Sequence, residues 1–567
     1  MGADDSKRCG WSDRLALSTQ VCVLGSRLFL EEMTPGEISR ACNGDLCLHD
    51  QDWAVCDRLQ MPLSDGVELE ALQPGASNGG RLLSHRTWQT TAMTKAIVVG
   101  SGPNGLAAAV TLARSGVEVT VLEGAGTVGG GTRSSELTVP GVVHDECSGF
   151  HPLAVSNAFS DFIDLSDHGL EWAWPEVQYA HPLARGAGAA AWQDIGETAR
   201  HLQDDGQMWK RIFGPLANRF PDIQQDFLRP MLHVPIHPLK LAHFGGFAGP
   251  PASWLSRVWK TEEARALFAG VAAHSFRPLN ALASSAIGVA LGTAAHTYGW
   301  PVAKNGSQSI ANAMVGALET LGGHVETGMR VQSLSELPKA DIIMFDTGPA
   351  AAARIAGDAL PPRISRALKR YRHGPAAFVV NFAVEGGIPW TYAPARRAGT
   401  VHVGGSFREI AAAEQLINRG RMPEHPFVLL GQQYLADPSR SAGDVHPIDA
   451  YAHVPAGFDG DATDAIERQI ERFAPGFRGR IIARHVKDVA EVESTNANYV
   501  GGDIVTGANS AMQLLFRPRV SASPYSLGRP GLFLCSAATP PGAGAHGMCG
   551  YNAAGAALAE LSGTSSL

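Results

Sequence analysis

The sequence predicts an α/β protein built on a Rossmann-like unit, and two stretches carry that prediction. Residues 96–123 read as strand, glycine turn, helix and strand. Residues 532–559 read as strand, Pro/Gly-rich turn and small-residue helix. The wider composition agrees with a folded chain: of 567 residues, 45% are hydrophobic and 18% charged. A net charge of −8 without a dense Lys/Arg tract argues against a nucleic-acid partner. The 64 glycines and 35 prolines follow no fixed period. None of the eight cysteines stands at CxxC spacing, which removes a disulfide scaffold and the usual zinc knuckle, and no metal site is expected. A soluble, intracellular protein is the expectation.

Each element of the first stretch has a mechanical reason. Ala96-Ile97-Val98-Val99 is a short apolar run suited to a buried parallel strand. It enters Gly100-Ser101-Gly102-Pro103-Asn104-Gly105, and Leu106 to Arg114 then reads as a helix ended by Gly116. Val117 to Leu122 is the second strand, and Glu123 follows it. Gly100 permits the tight turn, Gly102 the approach of backbone to a diphosphate, and Gly105 close packing of helix on strand. Amides at the helix start face an anion, and Glu123 can accept hydrogen bonds from ribose hydroxyls. A dinucleotide site is predicted. The segment Gly126 to Ser134 adds a second glycine cluster (Gly129, Gly130, Gly131), and Arg133 can pair with a phosphate.

With that spacing the chain resembles the flavin-dependent amine oxidase and phytoene desaturase superfamily. The resemblance continues through Gly129 to Pro152, the glycine turn Gly299 to Gln308, and Gly531 to Met548. It is nearest to the phytoene-desaturase-related branch that carries a pyridine nucleotide-disulfide oxidoreductase label, and it spans about residues 93–561. Asn305 and Ser536 depart from the family pattern at positions where glycine is common, which puts loop geometry near the ring in question. The resemblance implies a discontinuous Rossmann-like FAD-binding domain with an inserted α+β substrate domain. FAD would be held by Gly100, Gly102, Pro103, Asn104, Gly105, Glu123, Gly129, Gly130, Gly131 and Arg133. Val331, Ala537, Gly544, His546, Gly547 and Met548 complete that set. The helix read from Tyr551 onward would stabilise the reduced ring through the dipole at its start.

The expected division is an FAD-binding part at 93–157, a helical substrate part at 158–295, and a second FAD-binding part at 296–370. A substrate sheet at 371–524 and a third FAD-binding part at 525–567 follow. Helices are expected over 194–213, 261–274 and 310–321. Strands are expected over 376–384 and 426–430, at Val325 and Val331, and over 340–345. Residues 1–92 hold five of the eight cysteines and a net charge of −5, with poor periodicity. They read as a loosely ordered extension, with Met93 as the working N-terminus. The 26 residues between Arg277 and Lys304 lack a charged side chain, yet their hydroxyls and glycines make them too polar to span a membrane. They read as a buried helix on a substrate tunnel, while 230–259 is left open as a peripheral membrane contact.

The chemistry implied by the resemblance is hydride transfer from an apolar, isoprenoid-like substrate to flavin N5, in a dehydrogenase of desaturase type. Candidate proton-handling residues are His144, Asp145, Cys147, Ser148, His151 and His546. Cys147 lacks a second sulfur at dithiol spacing, so disulfide reduction is not supported. The alternatives are an amine oxidase, for which Tyr525 and Tyr551 are the C-terminal aromatic candidates, and a non-catalytic FAD-fold protein with a binding or regulatory role, a regulator of mitochondrial function if the source is eukaryotic. Ala- and Arg-rich composition points to a bacterial cytoplasm; a eukaryotic source would point to the mitochondrial matrix. Substrate identity and oligomeric state are not readable from the sequence.

Overall fold

The computed structural model describes residues 93–563. The extension expected over 1–92 lies outside the described residues. Five parallel strands form one sheet, in the order Leu532–Leu534, Ile342–Phe345, Lys95–Val99, Glu118–Leu122 and His324–Glu326. Alternation along the strand Lys95–Val99 divides its side chains between two cores. Ala96 and Val98 face the helices Pro103–Arg114, Gln308–Thr320 and Met548–Leu561. Ile97 and Val99 face Pro349–Ala356 and Pro362–Lys369. Burial on both faces is why residues 96–99, Ile342–Phe345 and Leu532–Leu534 are apolar throughout. Glu118–Leu122 and the edge strand His324–Glu326 carry polar residues at partly or fully exposed positions. The sheet therefore draws on residues near 100, near 340 and near 533, as a discontinuous domain requires.

A second sheet has seven strands, in the order Ile481–Lys487, Ala376–Glu385, Val445–Val454, Val428–Gly431, Ala398–Val403, Val177–Pro182 and Gly188–Ala191. All its pairings are antiparallel except that of Ala398–Val403 with Val177–Pro182. One face packs on the helix Thr463–Glu471, the other on Gly206–Ala217, Glu262–Ala273 and Ala286–Thr297. Three expectations are corrected here. Residues 158–295 are not purely helical, because they supply two strands of this sheet. The helix expected over 194–213 breaks into Ile195–His201 and Gly206–Ala217 around a turn whose Asp205 carboxylate accepts from the Lys260 and Thr261 amides. Val331 lies in no strand.

The charge-free run after Arg277 is helical only over Ala286–Thr297, and its Ala286, Ile287 and Ala290 line the main cavity. Among the described residues no helix is long and apolar enough to cross a membrane.

Candidate functional site

Gly100 has φ of +103°, a conformation open to glycine, and its amide donates to the Leu122 carbonyl, which holds the turn against the second strand. The helix Pro103–Arg114 starts directly after it, with proline at its first position. A side chain at Gly105 would put its Cβ 2.3 Å from the Gly100 carbonyl oxygen, so the close packing expected of this glycine is present. The C-terminal helix closes on the same place: a Cβ at Gly550 would lie 1.8 Å from the Asn104 carbonyl oxygen. The turns at 100–105 and 542–547 therefore meet.

They border one cavity of about 880 Å³. At its nucleotide end Glu123 Oε2 accepts from the Ser101 amide at 2.9 Å and the Ser101 hydroxyl at 2.6 Å. Arg133 lies 3.5 Å from Glu123 and donates to the Thr127 and Thr495 carbonyls. Across from them is Asp346, whose turn is clamped by Asn498: its side chain accepts from the Gly348 amide and donates to the Asp346 carbonyl. Burial, with Glu123 nearby, pushes the Asp346 carboxyl up to about 7, although the Gly105 and Gly102 amides pull the other way. Asn104 Oδ1 is buried in this wall with no hydrogen-bond partner. Five arginines and two carboxylates, Glu123 and Asp346, line the whole cavity. Unpaired polar capacity, a helix N-terminus and excess positive charge fit a nucleotide diphosphate.

The structure sorts the predicted cofactor residues. Gly100, Gly102, Pro103, Asn104, Glu123, Gly130, Gly131, Arg133, Val331, Ala537, Gly544 and His546 line the cavity. Gly105, Gly129, Gly547 and Met548 do not; they shape its wall from behind. Gly129 anchors the second glycine cluster by donating to the Ser101 carbonyl, and Gly547 starts the last helix with φ of +72°. Of the two departures from the family pattern, Asn305 adopts φ of +63°, which asparagine tolerates, and Ser536 lies in the cavity wall.

The proton-handling candidates divide more sharply. Cys147, Ser148 and His546 line the cavity, whereas His144, Asp145 and His151 do not. His144 is fully buried between Asp449 (2.6 Å) and Thr138 (2.8 Å). Asp145 is paired with Arg440, and burial, which alone would raise its pKa, is outweighed by that guanidinium and by bonds from Ser307 and Ser134. His151 bonds to Ser307 behind the wall, and burial lowers it to about 4. These three lie behind the cavity wall. Burial pushes the Cys147 thiol up, although the hydrogen bond from Tyr499 pulls the other way, which disfavours the thiolate. Burial holds His546 at about 4, and its Nδ1 accepts the Met548 amide hydrogen, so the neutral ring carries its proton on Nε2. It can donate there but not serve as base through Nδ1.

Several lining residues escaped the sequence reading. Asp346 repeats the acid-after-buried-strand signal that marked Glu123. Arg517 is buried, bonded to the Gln513 and Ala537 carbonyls and to Asn509 Oδ1, and packed under Gly542. His274 faces the cavity and shares a 2.8 Å contact between its Nε2 and that of His402. No local pattern distinguishes either. Tyr525 and Tyr551, the aromatic pair considered for an amine, do not line the cavity; Tyr451, Tyr499 and Trp300 do.

A sequence family described as NAD(P)-binding Rossmann-like domain matches residues 98–164. Putrescine oxidase bound to putrescine superposes with a TM-score of 0.53 at 17% identity, over 83% of this chain and 99% of that one. The chain has the fold of the FAD-dependent oxidoreductases. An oxidoreductase from Methanosarcina mazei gives a TM-score of 0.52 at 12% identity, over 82% of this chain and 100% of that one. In sequence, this oxidoreductase-fold chain is homologous to pyridine nucleotide-disulfide oxidoreductase domain-containing protein 2 of Mus musculus. The two are 38% identical over 93 residues, 16% of either protein. The Rattus norvegicus protein is 37% identical over the same shares. The chain thus matches about a sixth of the length of these curated relatives. The fold read from the sequence is the one these solved structures share, and the matched segment of the curated relatives carries the label of the branch the sequence resembles.

Proposed function

We propose that the protein is an FAD-dependent oxidoreductase that dehydrogenates an apolar, isoprenoid-like substrate. The observation that carries this reading is the continuity of one cavity from the glycine turn, past the turn 536–546, into an apolar arm. That arm is walled by Phe227, Leu241, Phe244, Ala286, Ile287 and Leu291. When bound, FAD supplies two-electron hydride acceptance. The chain's own residues do the rest. Asn104, Arg133 and the first helix hold the diphosphate end, and Glu123 accepts from ribose. Arg517 places a dry positive charge beside the turn 536–546, where negative charge develops on reduction. The apolar arm orients the substrate and excludes water. His274, which burial keeps neutral down to about 3, is a hydrogen-bonding group on the inner wall, backed by His402.

No carboxylate lines the apolar arm, the two lining acids being Glu123 and Asp346 at the nucleotide end. A cationic diamine would find no counter-ion there. Amine oxidation is the second reading, supported by Tyr451, Tyr499 and Trp300 on the wall. A visible spectrum of the purified chain tests the cofactor, and anaerobic bleaching by a polyene against a neutral amine separates the two substrates. Flavin that neither compound reduces would favour the regulatory alternative, and a chain without flavin would overturn the proposal.

A further inference from the structure

The surface around the mouth of the apolar arm reverses the usual order of polar and apolar residues. Along residues 231–237, which form no helix or strand, Leu232, Val234 and Ile236 are 48%, 89% and 55% exposed. The intervening His233 turns inward to the buried Asp226 at 3.1 Å, and His237, which follows, pairs with the partly exposed Asp222 at 3.5 Å. Aliphatic side chains thus face water while the polar ones are satisfied within the protein. The following helix, Pro238–Ala248, repeats the pattern: Leu241 and Phe244 line the cavity, yet its outer side shows Leu239 at 85% exposure, with Ala242 and Gly246. Lys240 and His243 are the polar side chains of this helix, and one otherwise so apolar is ordinarily buried. Trp254 is exposed, and so is Leu282, which also belongs to the cavity wall. The exposed patch and the mouth are continuous.

Charge indicates what covers this patch. From 227 to 261 the chain has no Asp or Glu, but it has Arg229, Lys240, Arg257 and Lys260, of which Arg257 and Lys260 are exposed. We propose that this face docks on a lipid bilayer carrying anionic headgroups, with the cavity mouth at the interface. Val234 and Leu239 enter the acyl boundary, Trp254 lies at headgroup level, and Arg257 and Lys260 meet the phosphates. Asp222, the acid that reaches this face, is taken up by Lys240 and His237, and an isologous contact with a second copy would set the exposed Arg257 and Lys260 against themselves. The docking does not depend on the flavin reading; only the passage of an apolar substrate from bilayer to arm does.

The full chain is mixed with vesicles of phosphatidylcholine, with or without phosphatidylglycerol, and floated on a density gradient. The expected result is flotation with the phosphatidylglycerol vesicles, weakened by salt and by omitting the anionic lipid. V234E/L239E should lower the bound fraction at least tenfold while keeping the wild-type circular dichroism and the same flavin content. A blue shift of tryptophan emission on the vesicles should disappear in W254F. Wild type that stays at the bottom of the gradient, or a double variant that floats equally well, overturns the proposal. So does light scattering that shows a dimer dissociated by V234E/L239E. Each readout is independent of turnover, so failure here is distinguishable from failure of the oxidoreductase reading.

Discussion

Arg440 Nη1 lies 2.6 Å from Asp145 Oδ2, and both side chains are sealed from solvent. Asp437 (3.2 Å) and the Ala303 carbonyl complete the surroundings of the guanidinium. This network ties the segment after the second glycine cluster, through Ser134 and Ser307, to the seven-stranded sheet, where Asp449 accepts from the Asp145 amide. Removing one partner strands the other charge, which costs about 3–5 kcal/mol for a buried pair. Arg440→Met should therefore lower unfolding free energy by about that amount in urea titration. A loss below about 1 kcal/mol would show the pair to be screened by water.

A Cβ on Gly131 would stand 2.2 Å from the Tyr499 hydroxyl oxygen. Gly131→Ala should push Tyr499 out of the cavity wall at an overpacking cost of about 1–3 kcal/mol. Flavin affinity, read by fluorescence titration, should drop about tenfold or more. Tyr499→Phe removes the clashing oxygen, and the double variant should recover most of the loss. An unaltered affinity in Gly131→Ala would place the cofactor away from this turn.

Asp346 has its carboxyl raised from 3.8 to about 7. A raised carboxyl contributes stability that is fully present below about 3.8 and is lost as pH rises through about 7. Asp346→Asn should remove this loss, so flavin-free variant and wild type should differ by a few kcal/mol at pH 8 and converge near pH 4. Thermal melts across that range read the difference, and parallel curves would contradict it.

Buried histidines act with the opposite sign. His151, His181 and His546 are each lowered from 6.5 to about 4. Their neutral forms favour the fold above about 6.5, and that contribution is lost as pH falls toward 4. Urea midpoints should decline over this window. His151→Gln, which keeps a donor for Ser307, should flatten the slope by one group's share, and a slope identical to wild type would refute the assignment.

The strand Lys95–Val99, the helix Pro103–Arg114 and the acid Glu123 were legible because their pattern lies within thirty consecutive residues. Turn chemistry, apolar runs and glycine spacing act there over short range. The C-terminal strand and helix were legible for the same reason. His144, Asp145 and His151 read as site residues because they follow the glycine cluster and can carry a proton. Neighbourhood in sequence does not tell which way a side chain turns, and these three turn away from the cavity.

The amino-acid order alone thus determined the Rossmann-like unit and the discontinuous α/β fold of the chain. Tertiary structure decided which titratable groups reach the cavity. Asp145 meets a guanidinium 295 positions away, Asp346 closes on the turn at 100–105, and His274 meets His402 across 128 positions. Those encounters arise from packing of sheet on helix. Burial then sets the protonation of each group, and neither packing nor burial is encoded in any local run of residues.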